Sequence, residues 1–524
     1  MKMVPNSEES RFNKIEKLVF GVSILALIYS VLSNSYIDIN GFLTIDSTHF
    51  LRLAQSLKDG NGFYVYSWTN SGELKFFSTW PIGYPLSIYL VSNISSLDVF
   101  WSSKIINIIC SILIIFSVKK YLKSGFSMIP LIFISGSFLN IFSYTMTESL
   151  FGLGLVLYVL QTYELSTAGS KKKLIFGFFA FALAFTSRYI GAYLLIFNLF
   201  LIFQAYKNNK SSLRHLILLL IFCSVYVAAY LFINKASSGF TTYSHAYITY
   251  ESSYEIIIQF IKKLFEELNL IMASVRFNSN IIVATLSSFL SVCFIYYLSV
   301  FLIRKKTKDF TLNSLSNNFL CSGVLYLIIV FFWRLTIWFS PFSYRILFPA
   351  TLLIFIGIIL KLISKEDLWG KEFKRIYVVF CFIAMSSFMF NIIYKQTIYN
   401  EITYKQNIER IMEKYNQVEE GSAVIFGERQ LDYKRTDIIP LKPYYLPLFS
   451  KVETKNEFNE RISKFNEIYF NIPGFCKKPY STLSGDRNMN CISENKKIHF
   501  FDKEIIGFIK ENSKKNIFKI NQIK

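Results

Sequence analysis

The feature that most limits what this chain can become is the return of apolar runs of roughly 17 to 25 residues over its first three quarters, the length a helix needs to cross a bilayer. Spans are expected near 18–36, 101–118, 127–143, 147–163, 173–187, 189–206, 213–233, 279–303, 317–338, 346–363 and 374–394. The chain therefore reads as mainly α, a polytopic membrane protein with about 11–12 transmembrane helices. The stretch 82–96 is too short and interrupted for a span and is expected as a re-entrant or interfacial helix.

The formal net charge of +21 would point to nucleic acid in a soluble chain. Here the basic residues sit in short clusters between apolar runs, and no basic face with interleaved aromatics accompanies them, so no nucleic-acid partner is expected. With a cytoplasmic N-terminus, Lys119/Lys120/Lys123, Lys171/Lys172/Lys173, Lys207/Lys210/Arg214, Arg304/Lys305/Lys306/Lys308 and Lys371/Lys374/Arg375 all fall on the cytoplasmic side, as the positive-inside rule requires. The opposite loops are poor in Lys and Arg, and Arg188, Arg276 and Arg345 stand out there. The run Leu18 to Leu32 lacks a small-residue cleavage site and reads as an uncleaved anchor. The expected location is the inner (plasma) membrane, with membrane lipids as surroundings.

Two domains are expected: 1–394, a transmembrane domain whose first external loop covers 37–100, and 395–524, a small soluble α/β domain on the external, periplasmic side. In the second, "SAVIFGE" (422–428) and "EIYFNI" (467–472) read as strands and 403–417 as a helix. Five of the seven cysteines lie inside spans, where they pack as small apolar residues. Cys476 and Cys491 lie in the external domain and are either a disulfide or two free thiols.

The first loop is unusually long, and long loops usually carry function. Within "LTIDSTHFLRLAQSLKDGNGF" (43–63) the apolar residues Phe50, Leu51, Ala54 and Leu57 recur at helical spacing, which suits a helix along the membrane surface. Asp46 stands at its start. It reads either as an N-cap for the first turn or as a general base at the water-facing mouth of a pocket. His49 shares its face and with Asp46 gives a divalent metal two ligands; one His with one carboxylate is a thin set, so no cofactor is expected and a divalent metal is the alternative. Glu148, at the end of its span, is a functional candidate because an ionisable group within the bilayer is costly; its other reading is structural pairing with a neighbouring hydroxyl or arginine, and Arg188 and Arg345 read either as ligands of an anion or as internal partners of Glu148 or Asp46.

The combination of a D-x-x-x-[FY]-x-x-x-A-x-x-L helix, then G-x-G-[FY], then P-x-G-Y-P resembles the first external loop of the GT-C glycosyltransferases, and is similar to bacterial members related to the protein mannosyltransferase and aminoarabinose transferase families. The residues are Asp46, Phe50, Ala54, Leu57, Gly60, Gly62, Phe63, Pro81, Gly83, Tyr84 and Pro85. Weaker likenesses follow in "MTESLFGLGLVLY" (146–158), "LAFTSRYIGAYLL" (183–195) and "FSYRILFPATLL" (342–353). The chain departs from the pattern at Ser47, where many members carry Glu, and at Trp80, where some carry a basic residue.

The resemblance implies a polyprenyl-phosphate- or polyprenyl-diphosphate-linked sugar donor and an acceptor hydroxyl on a glycan, lipid or protein at the external face. It implies Asp46 as the catalytic base of a transfer that inverts the anomeric carbon. Arg188, Arg345 and Lys75 would bind the donor phosphate, with His49, Trp80, Tyr84, Glu148 and Tyr189 lining the pocket. Fixed positive charge at span ends is also what a donor with an apolar tail and an anionic head requires. The alternatives are an O-antigen-type polysaccharide polymerase or ligase, and a lipid-linked oligosaccharide flippase.

Overall fold

The computed structural model describes residues 7–66, 74–208, 210–242, 247–248, 251–268, 281–338, 342–365, 370–398, 402–425, 430–441, 468–471 and 517–519, with a few isolated positions between. Cys476, Cys491 and Arg276 lie outside the described residues. The helices are α1 (Ser7–Ile37), α2 (Ile45–Lys58), α3 (Gly83–Ser95), α4 (Val99–Lys119), α5 (Met128–Phe133), α6 (Gly136–Ser143), α7 (Glu148–Thr167), α8 (Lys171–Ser187), α9 (Tyr193–Asn208), α10 (Lys210–Ser238), α11 (Ser253–Leu268), α12 (Ile281–Arg304), α13 (Phe310–Thr336), α14 (Tyr344–Lys365), α15 (Lys371–Ile398), α16 (Tyr404–Lys414) and α17 (Leu431–Lys434). The strands are β1 (Tyr64–Tyr66), β2 (Leu74–Phe76), β3 (Tyr247–Ile248), β4 (Ile337–Trp338), β5 (Ala423–Ile425), β6 (Ile439–Leu441), β7 (Ile468–Asn471) and β8 (Ile517–Lys519).

Among the described residues, seven helices are long and apolar enough to cross a membrane: Phe12–Ile37, Val99–Lys119, Tyr189–Lys207, Ser212–Ser238, Phe310–Thr336, Tyr344–Lys365 and Glu372–Ile393. An eighth crossing is a broken one, α6 with α7, bent by 116°. The number is smaller than the eleven runs in the sequence, for identifiable reasons. The expected span 127–143 is two short helices, α5 and α6, parted at Ile134–Ser135. Helix α8 has only 17 residues, about 25 Å against a core of about 30 Å. Helix α12 runs for 24 residues, Ile281–Arg304, and its part Phe289–Arg304 is apolar. Helix α3, with 13 residues, is too short to span, as the stretch 82–96 is expected to be.

The chain divides into two compact units, one of Met1–Phe42 with Ser78–Glu401, the other of Leu43–Phe77 with Ile402–Lys524. In the first, small residues let helices touch backbone to backbone. A Cβ on Gly154 of α7 would stand 2.6 Å from the Ala184 nitrogen of α8, so only glycine permits that approach. In the second, β6, β5 and β7 pair in parallel and β8 closes the far edge antiparallel to β7. Ile411, Tyr415, Val418, Val424, Leu431, Ile438 and Tyr469 form its apolar core.

The first-loop segment 43–77 joins this second unit through polar contacts that the sequence does not announce. Arg52 of α2, almost fully buried, donates to the Ile438 carbonyl at 3.0 Å and lies over the Tyr66 ring. Burial pushes its pKa down, and Asp432, Tyr66 and Asp437 oppose that. Thr436 donates to the Asp59 carboxylate at 2.7 Å. The apolar face of α2, Phe50, Leu51, Leu53 and Ala54, is covered by protein.

Within the first unit α11 is held by a buried acid. Glu267 accepts from Ser137 of α6 at 2.7 Å, and desolvation raises its pKa from 4.5 to about 7, with Ser137 and Lys263 opposing and Glu266 adding to the rise. A carboxyl whose folded pKa lies above its unfolded value stabilises the docked helix fully below pH 4.5, and that contribution is lost as pH rises through about 7. Protection of α11 from hydrogen exchange should therefore fall between about pH 5 and pH 8 by an amount on the order of 3 kcal/mol, and Glu267→Gln should flatten the dependence. An equal slope in the variant would assign it to another group.

Candidate functional site

Three charged side chains meet where α7, α8 and α14 come together. Glu148 opens α7 and is completely buried. Its Oε1 accepts from Arg188 Nη1 at 3.0 Å and from Arg345 Nε at 3.2 Å, while Thr147 donates to Oε2 at 3.4 Å. Arg188 ends α8 with an extended backbone just before the 3-10 turn Tyr189–Ala192; Arg345 is the second residue of α14. The arginine side chains keep 26% and 28% exposure whereas the carboxylate has none. The exposed part of the cluster is therefore arginine and not the acid between them. Two cations share one anion, and the N-termini of α7 and α14 add their partial positive charge at the same place. Partly exposed arginine side chains beside helix N-termini are the chemistry that binds phosphate.

The second motif explains how this cluster is built. A Cβ on Gly83, at the start of α3, would fall 2.6–2.8 Å from Thr186 of α8, so glycine alone lets α3 abut the turn before Arg188. Tyr84, fully buried, donates to Asn107 Oδ1 at 3.0 Å, and Ser149 donates to the same oxygen at 2.5 Å. The Asn107 amide in turn donates to the Phe142 and Tyr144 carbonyls, at 3.0 and 2.6 Å. Tyr84 thus pins the bend that delivers Glu148. Tyr189 donates to the Ser78 carbonyl and receives Asn234, both at 2.8 Å. Trp80 is half-buried just before the motif proline.

Lys104 of α4 interrupts an apolar run, a signal that sequence reading passed over although an intramembrane lysine is a functional or structural marker by default. Fully buried, it donates to the Gly41 and Ser143 carbonyls, at 2.9 and 2.7 Å. Gly41 and Phe42 both have positive φ, 64° and 54°, and the Asp38 carboxylate accepts from the Asn40 and Phe42 amides at 2.8 and 3.1 Å. This tight turn is the last of the first unit before the chain enters α2. Arg334 of α13, also buried, pairs with Glu251, another ion pair not anticipated.

In the second unit Asp46 occupies the first turn of α2 but does not cap it. Thr44 is the N-cap: its hydroxyl accepts from the Ser47 amide at 3.3 Å, and the Ser47 hydroxyl accepts from the Thr44 amide at 2.9 Å. Ser47, which stands where relatives of the resembled family carry Glu, closes this capping box. Asp46 is half-buried and His49 is buried. Lys75 is exposed on β2, opposite Val65. Among the described residues, no group of three or more His, Cys, Asp or Glu side chains is placed to hold a metal ion.

No protein-family model and no curated protein sequence matches the chain. Solved structures similar to it include the apo oligosaccharyltransferase of Archaeoglobus fulgidus, at 10% identity and a TM-score of 0.48 over 87% of this chain and 69% of that one. Another is the Archaeoglobus fulgidus oligosaccharyltransferase AglB in complex with an inhibitory peptide and a dolichol-phosphate, at 12% identity and 0.46 over 88% and 70%. A third is the same organism's enzyme tethered to an acceptor peptide, at 10% and 0.45 over 87% and 69%. These likenesses assign no residue and no activity to the chain.

Since the cap is Thr44, Thr44→Ala should lower the stability of α2 by about 1 kcal/mol, read as faster amide exchange in its first turn. Asp46→Asn should leave that exchange unchanged. If Asp46→Asn loosens the turn as much, the aspartate's place is structural after all.

Proposed function

We propose that this protein is a membrane glycosyltransferase that moves a sugar from a polyprenyl-phosphate or polyprenyl-diphosphate donor to an acceptor hydroxyl at the external face. The observation that carries the reading is the Arg188–Glu148–Arg345 cluster, in which two partly exposed guanidinium groups share one inaccessible carboxylate. The first-loop motif, with its resemblance to GT-C enzymes, supplies the sugar chemistry. Glu148 sets the positions of the arginines, and the guanidinium groups hold the donor phosphate. Lys75 is a further candidate for that role.

In the transfer, Asp46 takes the proton of the acceptor hydroxyl as the acceptor oxygen attacks the anomeric carbon from the side opposite the phosphate. The bond from that carbon to the phosphate oxygen breaks, and its electron pair leaves with the phosphate. Arginine stabilises the negative charge that develops there. The anomeric carbon is inverted. Thr44, not Asp46, is the N-cap of α2, so the role of base does not compete with a cap bond there.

Purified protein in lipid vesicles, incubated with labelled polyprenyl-phospho-sugars, tests the proposal. Asp46→Asn should abolish transfer while donor binding persists, because size and polarity are kept and the base is lost. Arg188→Ala should raise the donor KM or lower kcat by about 10- to 100-fold, the loss of a charge-assisted contact, and Arg188→Lys should recover only part of it, since a point charge cannot replace the planar fork. Donor movement across the bilayer without sugar transfer would replace the enzyme by a carrier. Wild-type kinetics with a lowered Tm in Arg188→Ala would leave the cluster a structural one.

A further inference from the structure

Helix α11 joins the first unit between α10 and α12, and its side chains fall into three sectors. Its start is fixed by a capping box, in which the Ser252 hydroxyl accepts from the Glu255 amide at 3.2 Å and the Glu255 carboxylate accepts from the Ser252 amide at 3.0 Å. Plotted at about 100° per residue, Ile256, Phe260 and Glu267 form one sector. This sector faces protein: Ile256 and Glu267 are buried, and the Phe260 ring lies 5.0 Å from both Phe331 of α13 and Phe342. Glu255, Lys262 and Glu266 form a second, polar sector.

The third sector, between these two, is Tyr254, Ile257, Ile258, Ile261 and Phe265, with exposures between 41% and 71%. A helix resting on a protein and otherwise facing water should be polar around the rest of its circumference. Here the exposed part divides into an apolar and a polar half. Such a division fits a helix with protein on one side, hydrocarbon beneath and water above.

Its neighbours agree with that placement. Phe331 belongs to α13, one of the bilayer-length helices, close to the end at Thr336. Beside it Phe332 and Trp333 are exposed at 60% and 40%, the aromatic composition of a headgroup-level belt. The Glu251–Arg334 pair and the β3–β4 pairing tie the chain before α11 to that same helix end.

We propose that α11 is a membrane-surface helix, its Tyr254–Ile258–Ile261–Phe265 stripe seated in the headgroup and acyl boundary of the bilayer and its Lys262 edge in water. The partner is lipid, not a second protein chain.

Nitroxide labels at positions 258, 261, 265 and 262, placed in a variant with the seven cysteines replaced, test this in phosphatidylcholine–phosphatidylglycerol vesicles. Collision with oxygen should exceed collision with a water-soluble nickel chelate at 258, 261 and 265, and the order should reverse at 262. Chelate access at 261 equal to that at 262 would overturn the proposal by placing the stripe in water. Exclusion of both reagents at all three positions would overturn it in favour of a protein partner. If the cysteine-free chain does not fold, the unaltered protein is irradiated with benzophenone-bearing phospholipid. Adducts should map to the 254–265 peptide, and adducts confined to the spanning helices would refute the placement.

Discussion

A carboxylate buried without a counter-charge costs several kcal/mol, and Glu148 meets that cost by taking both Arg188 and Arg345 on one oxygen. The three side chains come from the starts of α7 and α14 and the end of α8, so one carboxylate fixes the relative setting of three helices. The bend between α6 and α7, the Asn107 network under it and the Gly83 contact against α8 all serve to bring that carboxylate to its place. The ion pairing that stabilises the helices thus also sets two partly exposed arginines side by side.

The membrane character was fully legible, because runs of apolar residues long enough to cross a bilayer have few other readings. What such runs do not convey is continuity. The run 127–143 is apolar throughout most of its length yet breaks into α5 and α6, with Ser135 and Gly136 at the break. There the Gly136 amide donates to Ser387 of α15, a tertiary contact with no trace in the local pattern. Strands β5 and β7 and helix α16 were visible from branched and aromatic residues and from helical spacing, since those signals are local, whereas β6 and β8 were not anticipated.

The candidate site was legible in its residue types and, as one of two readings, in the pairing of each arginine with Glu148, but not in the sharing of one oxygen. Arg188 and Arg345 stood out as isolated cations in apolar surroundings, and Glu148 as an isolated acid, but that both cations would choose the same oxygen depends on three helix ends meeting. Asp46 was open to a capping reading because Asp is a good N-cap; the competing pair Thr44 and Ser47 occupies that role with two hydroxyls. Lys104 and Arg52 were missed for opposite reasons. Lys104 lay in plain view inside a span, whereas Arg52 sits in a stretch where a charged residue is ordinary, and only its burial against Ile438 gives it significance.

The grouping of residues 43–77 with residues from 402 onward has a consequence in time. Helix α2 is made well before α15, but the carbonyl that receives Arg52 and the threonine that bonds Asp59 are made only after it. Until then the Arg52 guanidinium lacks its native acceptor in this unit. Contacts of such sequence separation form late and slowly. Biogenesis must therefore keep an early-made, half-apolar helix waiting through the insertion of the bundle, and the tight turn at Gly41–Phe42, anchored by Lys104, fixes where that wait begins.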